Sequence, residues 1–169
     1  EKKIKSLEEK TEVVVLPEMF STGFSMKPEA LAETMDGETV EWMKRVSREN
    51  GIVLTGSIII KDAGNYYNRL VWMLPNGQYG HYDQLHLFAF GEEDIHSKPG
   101  TTRLLASVQA RNMNVLVCYA LKIPVWASKA HSIPYQIGYG LDTPHEYGVR
   151  NSGVRSPDPR PTDWTTLLF

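Results

Sequence analysis

The chain has 169 residues, 41% of them hydrophobic and 22% charged, and a formal net charge of −2. A chain of this size buries roughly 70% of its unfolded surface, so it can form one domain with a substantial core. The small net charge without a basic stripe argues against nucleic acid as the main partner, and no apolar run approaches membrane-spanning length. The single cysteine cannot form an internal disulfide, which fits a cytoplasmic protein.

The hydrophobic pattern predicts strands and helices that alternate along the chain. Buried strands between helices indicate an α/β fold, and hairpin signals at residues 63–65 and 75–77 make the sheet mixed. Both ends are expected to be incomplete, so we interpret the chain as one domain that is the central part of a longer one. The predicted elements are the end of a helix at 1–10, a strand at 13–16, a helix at 36–50, strands at 52–60, 67–74, 78–82 and 114–118, and the start of a helix at 164–169.

Two elements have distinct patterns. In the helix at 36–50, Val40, Met43 and Val46 form one apolar stripe, and Gly51 is a natural stop. The strand at 13–16 is apolar on consecutive residues, which predicts that it is covered on both faces. Residues 148–161, rich in Pro, Gly, Ser and Arg, predict no element.

Cys118 and Glu18 are the first candidates for chemistry. Cys118 follows an apolar strand, where a nucleophile could be held rigidly and still be reached, although a lone cysteine is as often a small buried hydrophobe. Glu18 follows the first strand in the same way, although most glutamates are simply exposed. If the two strands are parallel in one sheet, both residues lie at the same sheet edge, where α/β proteins usually bind ligands.

The remaining polar residues predict no metal or cofactor site. The five histidines have no metal-ligand spacing, and there is no glycine-rich phosphate loop. An acidic cluster is formed by Glu92, Glu93 and Asp94. For Glu92 and Asp94, a solvated loop is the simpler interpretation.

Three segments together resemble the catalytic segments of the nitrilase, or carbon–nitrogen hydrolase, superfamily, and the ω-amidase branch in particular. They are Leu16-Pro-Glu-Met-Phe-Ser-Thr-Gly-Phe24, Tyr82-Asp-Gln-Leu-His-Leu-Phe88 and Val117-Cys-Tyr-Ala-Leu-Lys-Ile-Pro-Val-Trp126. Their order, spacing and flanking residues all agree with that family. The resemblance implies an αββα sandwich with mixed sheets, a homodimer, no cofactor, and a small linear amide as substrate.

The resemblance also implies roles for individual residues. Glu18 would be the general base, Cys118 the nucleophile that forms a thioester, and Glu93 a second glutamate that orients the site. The Tyr119 N–H would form half of the oxyanion hole, and Tyr119 and Phe24 would contact the substrate. A thiolate suits a poor electrophile such as an amide, and fixed donors are needed for the tetrahedral oxyanion.

Gln84 departs from the family pattern, because the resemblance implies a lysine there. A neutral amide supplies no positive charge, and loss of one oxyanion donor typically costs about 10²–10³ in rate. Three explanations are open: the protein is an inactive or altered relative, Lys98 or Lys122 substitutes, or residue 84 is a lysine assigned as glutamine. Ala120, where aspartate is usual, is a second departure.

Three functions therefore follow from the sequence. The first is a thiol amidase. The second is a catalytically impaired member of the family that uses its pocket for binding. The third is a plain α/β domain with a structural cysteine, which would require the three-segment match to be chance.

Overall fold

The computed structural model describes residues 1–6, 11–88, 93–108, 111–117, 135–143, 146–148 and 164–168. The helices are α1 (Lys2–Lys5), α2 (Pro28–Leu31), α3 (Glu38–Asn50) and α4 (Glu93–His96). The strands are β1 (Val13–Val15), β2 (Val53–Asp62), β3 (Asn65–Met73), β4 (Tyr79–Asp83), β5 (Arg103–Val108), β6 (Arg111–Leu116), β7 (Tyr135–Thr143), β8 (Glu146–Gly148) and β9 (Trp164–Leu168).

The strands form two mixed sheets. The first has the order β1-β2-β3-β4, with β1 parallel to β2 and the other pairs antiparallel. The second has the order β8-β7-β5-β6-β9, in which β5 runs parallel to β7 and β6 runs parallel to β9. The predicted α/β class with mixed sheets is confirmed.

Two apolar cores lie on opposite faces of the first sheet. One face packs against α3, whose buried Val40, Met43 and Val46 meet Ile58 and Val71. The other face carries Leu70 and Trp72 and packs against the second sheet, through residues such as Leu104 and Val115. Because successive strand residues point to opposite faces, an apolar run in β2 and β3 supplies both cores.

Local turn chemistry sets the boundaries of α3 and of the β2–β3 hairpin. Gly51 ends α3 in the left-handed conformation, with φ of 62°, and its N–H donates to the last turn of the helix. The hairpin turn has positive φ at both Ala63 and Gly64, which suits the right-handed twist of the strands. Helix α3 begins two residues later than the sequence pattern predicted.

Several predictions about elements are wrong. Residues 164–168 form strand β9 rather than a helix, because Trp164-Thr-Thr-Leu-Leu168 pairs with β6 along its whole length and suits a pleated surface. The prediction missed α2, α4, β5, β7 and β8, which lie where the pattern is weak. Strand β1 is not covered on both faces, since Val15 at the edge of the described sheet is 42% exposed.

Candidate active site

The centre of the candidate site is a cross-strand pair at the end of the first sheet. Asn68 lies in β3, and Gln84 directly follows β4, where its N–H donates to the Asn68 carbonyl over 3.0 Å. Both side chains are buried, at 1% and 0% exposure. The strand register places them on the same face as Leu70 and Tyr82, which face the second sheet.

Glu18 reaches this pair from a tight segment that follows β1. The segment runs beside β2, where the Leu16 N–H donates to Thr55 O over 2.7 Å and the Phe20 N–H to Ser57 O over 3.2 Å. The Met19 N–H donates to Ser57 Oγ over 3.0 Å. Met19 itself has a φ of 46°, a conformation that a non-glycine residue rarely adopts without support from its surroundings. The Glu18 backbone is therefore firmly held.

Gly56 is the residue in β2 that permits this close approach. A Cβ at Gly56 would lie 2.8 Å from Leu16 Cβ and 2.9 Å from Phe20 Cδ1. A larger residue would push the Glu18 segment away from the sheet, so the missing side chain helps to place the carboxylate.

Glu93 enters the site from the start of α4. Its carboxylate Oε2 accepts the Phe88 N–H over 2.7 Å, and the residue is 1% exposed. Burial raises the pKa of Glu93 above its ordinary value, and the charge of Glu18 adds to the rise, although hydrogen bonds from Phe88, Asn68 and Gln84 act in the opposite direction.

Two side-chain amides connect the two carboxylates. Asn68 Nδ2 donates to Glu18 Oε1 and to Gln84 Oε1, both over 2.7 Å. Gln84 Nε2 then donates to Glu93 Oε2 over 3.2 Å and to the His86 carbonyl over 2.7 Å. All four amide hydrogens are thus used, and the contact of 3.5 Å between Asn68 Nδ2 and Glu93 Oε1 is at most a weak third interaction.

The orientation of both amides follows from their partners. A flipped Gln84 would aim its oxygen at the His86 carbonyl and its nitrogen at the nitrogen of Asn68. A flipped Asn68 would aim its oxygen at the Glu18 carboxylate. Both alternatives oppose like groups, so the direction of the hydrogen-bond chain is set by the carboxylates at its ends.

Within the described residues, no cation forms an ion pair with Glu18 or Glu93. Arg69 lies next to Asn68, but it points to the opposite face, where it contacts Asp83 over 2.6 Å and Asp62 over 3.0 Å. Lys98 is exposed, so its ammonium lies outside the buried cluster. The amides are therefore the groups that separate the two carboxylates.

The backbone around Gln84 is supported on both sides. Gly100 N–H donates to Gln84 O over 2.9 Å, and a Cβ at Gly100 would lie 2.3 Å from Asp83 O. The Leu85 N–H donates to the Tyr82 hydroxyl over 3.3 Å, and burial raises the pKa of Tyr82 to about 12, so that hydroxyl is neutral at pH 7.

The structure brings together three of the residues predicted from the sequence: Glu18, Gln84 and Glu93. Cys118 and Tyr119 lie outside the described residues. Phe24 is in the loop after the Glu18 segment and is 55% exposed.

The condition under which Glu18 and Cys118 would follow parallel strands at one sheet edge is not met. Strand β1 belongs to the first sheet and β6 to the second, because the β2–β3–β4 hairpins complete the first sheet beside β1. The two strands thus lie in two facing sheets rather than side by side in one.

Asn68 is the residue that the sequence analysis missed. It stands between Tyr67 and Arg69 in a strand that becomes continuously apolar from Leu70 onward. A polar residue on the buried face of such a strand needs a partner, and that requirement was the available signal. What the sequence could not supply was the identity of the partners.

The described residues contain no group of three or more His, Cys, Asp or Glu side chains that could hold a metal ion. In the same parts of the chain, no helix is long and apolar enough to cross a membrane.

The chain belongs to the carbon–nitrogen hydrolase family, since residues 1–131 match that family over more than half of the sequence. Omega-amidase YafV of Escherichia coli K12 is 29% identical over 157 residues, and its Yersinia enterocolitica counterpart is 32% identical over 159 residues. Both alignments cover 93% of this chain and 56% of the relative. The chain thus spans little more than half the length of these proteins.

A solved structure gives the same family. The crystal structure of XC1258 from Xanthomonas campestris, a CN-hydrolase superfamily protein with an arsenic adduct in the active site, has a TM-score of 0.72 and 35% identity. The superposition covers 76% of this chain and 48% of that chain.

Proposed function

We propose that the chain forms the catalytic centre of an ω-amidase-type enzyme that hydrolyses small linear amides through a thioester on Cys118. The observation that carries this proposal is the single hydrogen-bonded cluster of Glu18, Gln84 and Glu93, three residues that the family resemblance implies. The names of the ω-amidase relatives support amides as the substrate class.

In the proposed reaction, Glu18 takes the proton of the Cys118 thiol. The thiolate attacks the amide carbonyl, and the C–N bond breaks as Glu18 returns the proton to the departing ammonia. Water, deprotonated by Glu18, then cleaves the thioester and releases the carboxylic acid. Asn68 occupies Oε1 of Glu18, and within the described residues Oε2 takes no hydrogen bond, so Oε2 is the oxygen available for this proton.

Glutamine at position 84 leads us to expect a low rate for this reaction. Both of its amide hydrogens are engaged, by the His86 carbonyl and Glu93, so they are not available to an oxyanion. Nor does the amide bring a positive charge to the pair of carboxylates. We therefore propose that the protein hydrolyses amides slowly and that a cation at position 84 would accelerate the reaction.

Ammonia release from monoamides of short dicarboxylic acids tests this function. The wild-type protein should release ammonia at a low rate, and Cys118→Ala should abolish it. Gln84→Lys should raise kcat by about 10²-fold, because an ammonium would neutralise the carboxylates and stabilise the oxyanion. Tryptic mapping of the wild type first verifies glutamine at residue 84, since trypsin cleaves after lysine but not after glutamine.

Gln78→Lys is the matched control, because it makes the same change at an exposed position in the β3–β4 turn. It should leave the rate of ammonia release at the wild-type value. If neither the wild type nor Gln84→Lys releases ammonia, and iodoacetamide does not alkylate Cys118 in the folded protein, the amidase proposal is wrong.

A second candidate function is binding without catalysis. The observation that favours it is the absence of a cation beside Glu18 and Glu93 among the described residues. In that case a small amide should bind to the wild type and to Cys118→Ala with equal affinity in isothermal titration calorimetry, and neither protein should release ammonia. A homodimer, implied by the family resemblance, and a cytoplasmic location, expected from the single cysteine, complete this proposal for either function.

A further inference from the structure

Asn68 is the side chain that links Glu18 to the rest of the described site, although the family resemblance gave it no role. It donates to Glu18 and Gln84 at 2.7 Å, distances typical of strong hydrogen bonds. Its backbone carbonyl also accepts the Gln84 N–H over 3.0 Å. Its removal would therefore disconnect Glu18 from the rest of the cluster.

We infer that Asn68 is a positioning residue, whose amide fixes the Glu18 carboxylate in the orientation that catalysis needs and holds the Gln84 amide in place between the two carboxylates. This inference rests on the proposed function for the role of Glu18. Asn68 is suited to this task because it lies in the interior of β3, paired with Ile59 on one side and with Gln84 on the other. Through this hydrogen bond, the Glu18 carboxylate in the segment after β1 is held by a residue of the rigid sheet.

The Asn68 oxygen points to a further feature of the cluster. Oδ1 is buried and has no hydrogen-bond partner among the residues that the structure describes. The nitrogen of the same amide lies 3.5 Å from Glu93 Oε1, whereas Glu93 Oε2 already accepts from Phe88 and Gln84. Toward the described cluster the Asn68 side chain thus acts through its N–H groups alone.

The test compares Asn68→Ala with Asn65→Ala. Asn65 lies in the same strand, and within the described residues its amide makes only a local bond of 3.3 Å to Ala63 O in the hairpin turn. We expect Asn68→Ala to lower kcat for ammonia release by about 10–100-fold, with KM within about twofold of the wild-type value, because misplacement of a catalytic group acts on the reacting geometry. Asn65→Ala should leave both parameters unchanged.

A second readout does not depend on activity. The side-chain amide signals of Gln84 are followed by ¹H–¹⁵N NMR and assigned by their loss in Gln84→Met. In the wild type and in Asn65→Ala they should be slow to exchange with water, since both hydrogens are donated. In Asn68→Ala they should exchange at least about tenfold faster, because Gln84 Oε1 has lost its donor. If Asn68→Ala does not fold, Asn68→Ser, which keeps one hydroxyl donor, replaces it.

The two readouts separate this inference from the proposed function. Unchanged Gln84 amide signals in Asn68→Ala would overturn the positioning role, as would an unchanged kcat in an active protein. Faster exchange together with no ammonia release from any variant would support Asn68 as the residue that holds Gln84 while removing the amidase proposal.

Discussion

At the scale of single residues, Glu93 is the group with the least favourable environment in the candidate site. It is a carboxyl at 1% exposure whose described partners are neutral amides and a backbone N–H. A buried carboxylate is stabilised best by a cation, and a glutamine at position 84 offers only hydrogen bonds. The raised pKa of Glu93 is the consequence, since the protonated form avoids part of the cost of burial.

The raised pKa predicts a particular dependence of stability on pH. The folded protein binds the Glu93 proton more tightly than the unfolded chain, so this stabilisation is complete below the ordinary value of 4.5 and is lost as pH rises through the folded-state pKa. Glu93→Gln removes the titrating group. Relative to the wild type, the variant should therefore gain free energy of unfolding as pH increases above 4.5.

Urea unfolding of wild type and Glu93→Gln at a series of pH values measures this difference. Glu38→Gln, which alters an exposed carboxylate in α3, is the control and should follow the wild-type curve. A constant difference between Glu93→Gln and wild type across the whole pH range would contradict the prediction.

At the scale of elements, the connection after α4 limits where Gln84 can lie. Gly100 packs against the backbone of Asp83, and Asp83 is held from the other side by two hydrogen bonds from Arg69, of 2.6 and 2.9 Å. The end of β4 is thus fixed between a glycine and a buried arginine, and Gln84 is the next residue.

Gly100→Ala should therefore disturb both stability and the site. Its Cβ would overlap a backbone oxygen, which cannot rotate away, so we expect a loss of about 1–3 kcal/mol in the free energy of unfolding. Gly23→Ala is a useful comparison, because Gly23 has a φ of 74° but no atoms within 4 Å of the added Cβ. It should cost only about 1 kcal/mol through backbone strain, without an effect on the Gln84 amide signals. Equal effects of the two substitutions would show that the overlap at Gly100 is relieved by movement of the loop.

At the scale of the whole molecule, the first sheet is a central layer with a core on each face. The sheet–sheet core includes Leu70 and Trp72 from β3, the strand that also carries Asn68. The packing that holds the two sheets together therefore also anchors the hydrogen-bonded side chains of the candidate site.

Leu70→Ala tests how strongly that core contributes. Leu70 is fully buried, so truncation removes apolar contacts and leaves a cavity, at a cost of about 2–5 kcal/mol in the free energy of unfolding. Ile95→Ala deletes a side chain of the same size at 71% exposure and should change stability by less than about 0.5 kcal/mol. Urea unfolding of both variants gives the comparison. A loss below about 1 kcal/mol for Leu70→Ala would indicate that the sheets pack loosely at this position.

The sequence by itself determined the elements with strong local signals. The apolar stripe of α3 and its stop at Gly51, the hairpin turns and the α/β class all follow from side-chain period and backbone preference, which are local properties. The family resemblance likewise identified Glu18, Gln84 and Glu93 from residues in short segments, and the structure brings these three together.

Only the tertiary structure decided how those residues are connected. Strand β9 forms because β6 offers it a partner, although its own pattern allowed a helix, and the strands before Glu18 and Cys118 fall in different sheets. The role of Asn68 depends on a register between β3 and the residue after β4. Pairing between distant segments depends on backbone hydrogen bonds and burial that form only when the chain folds, so no local pattern encodes it.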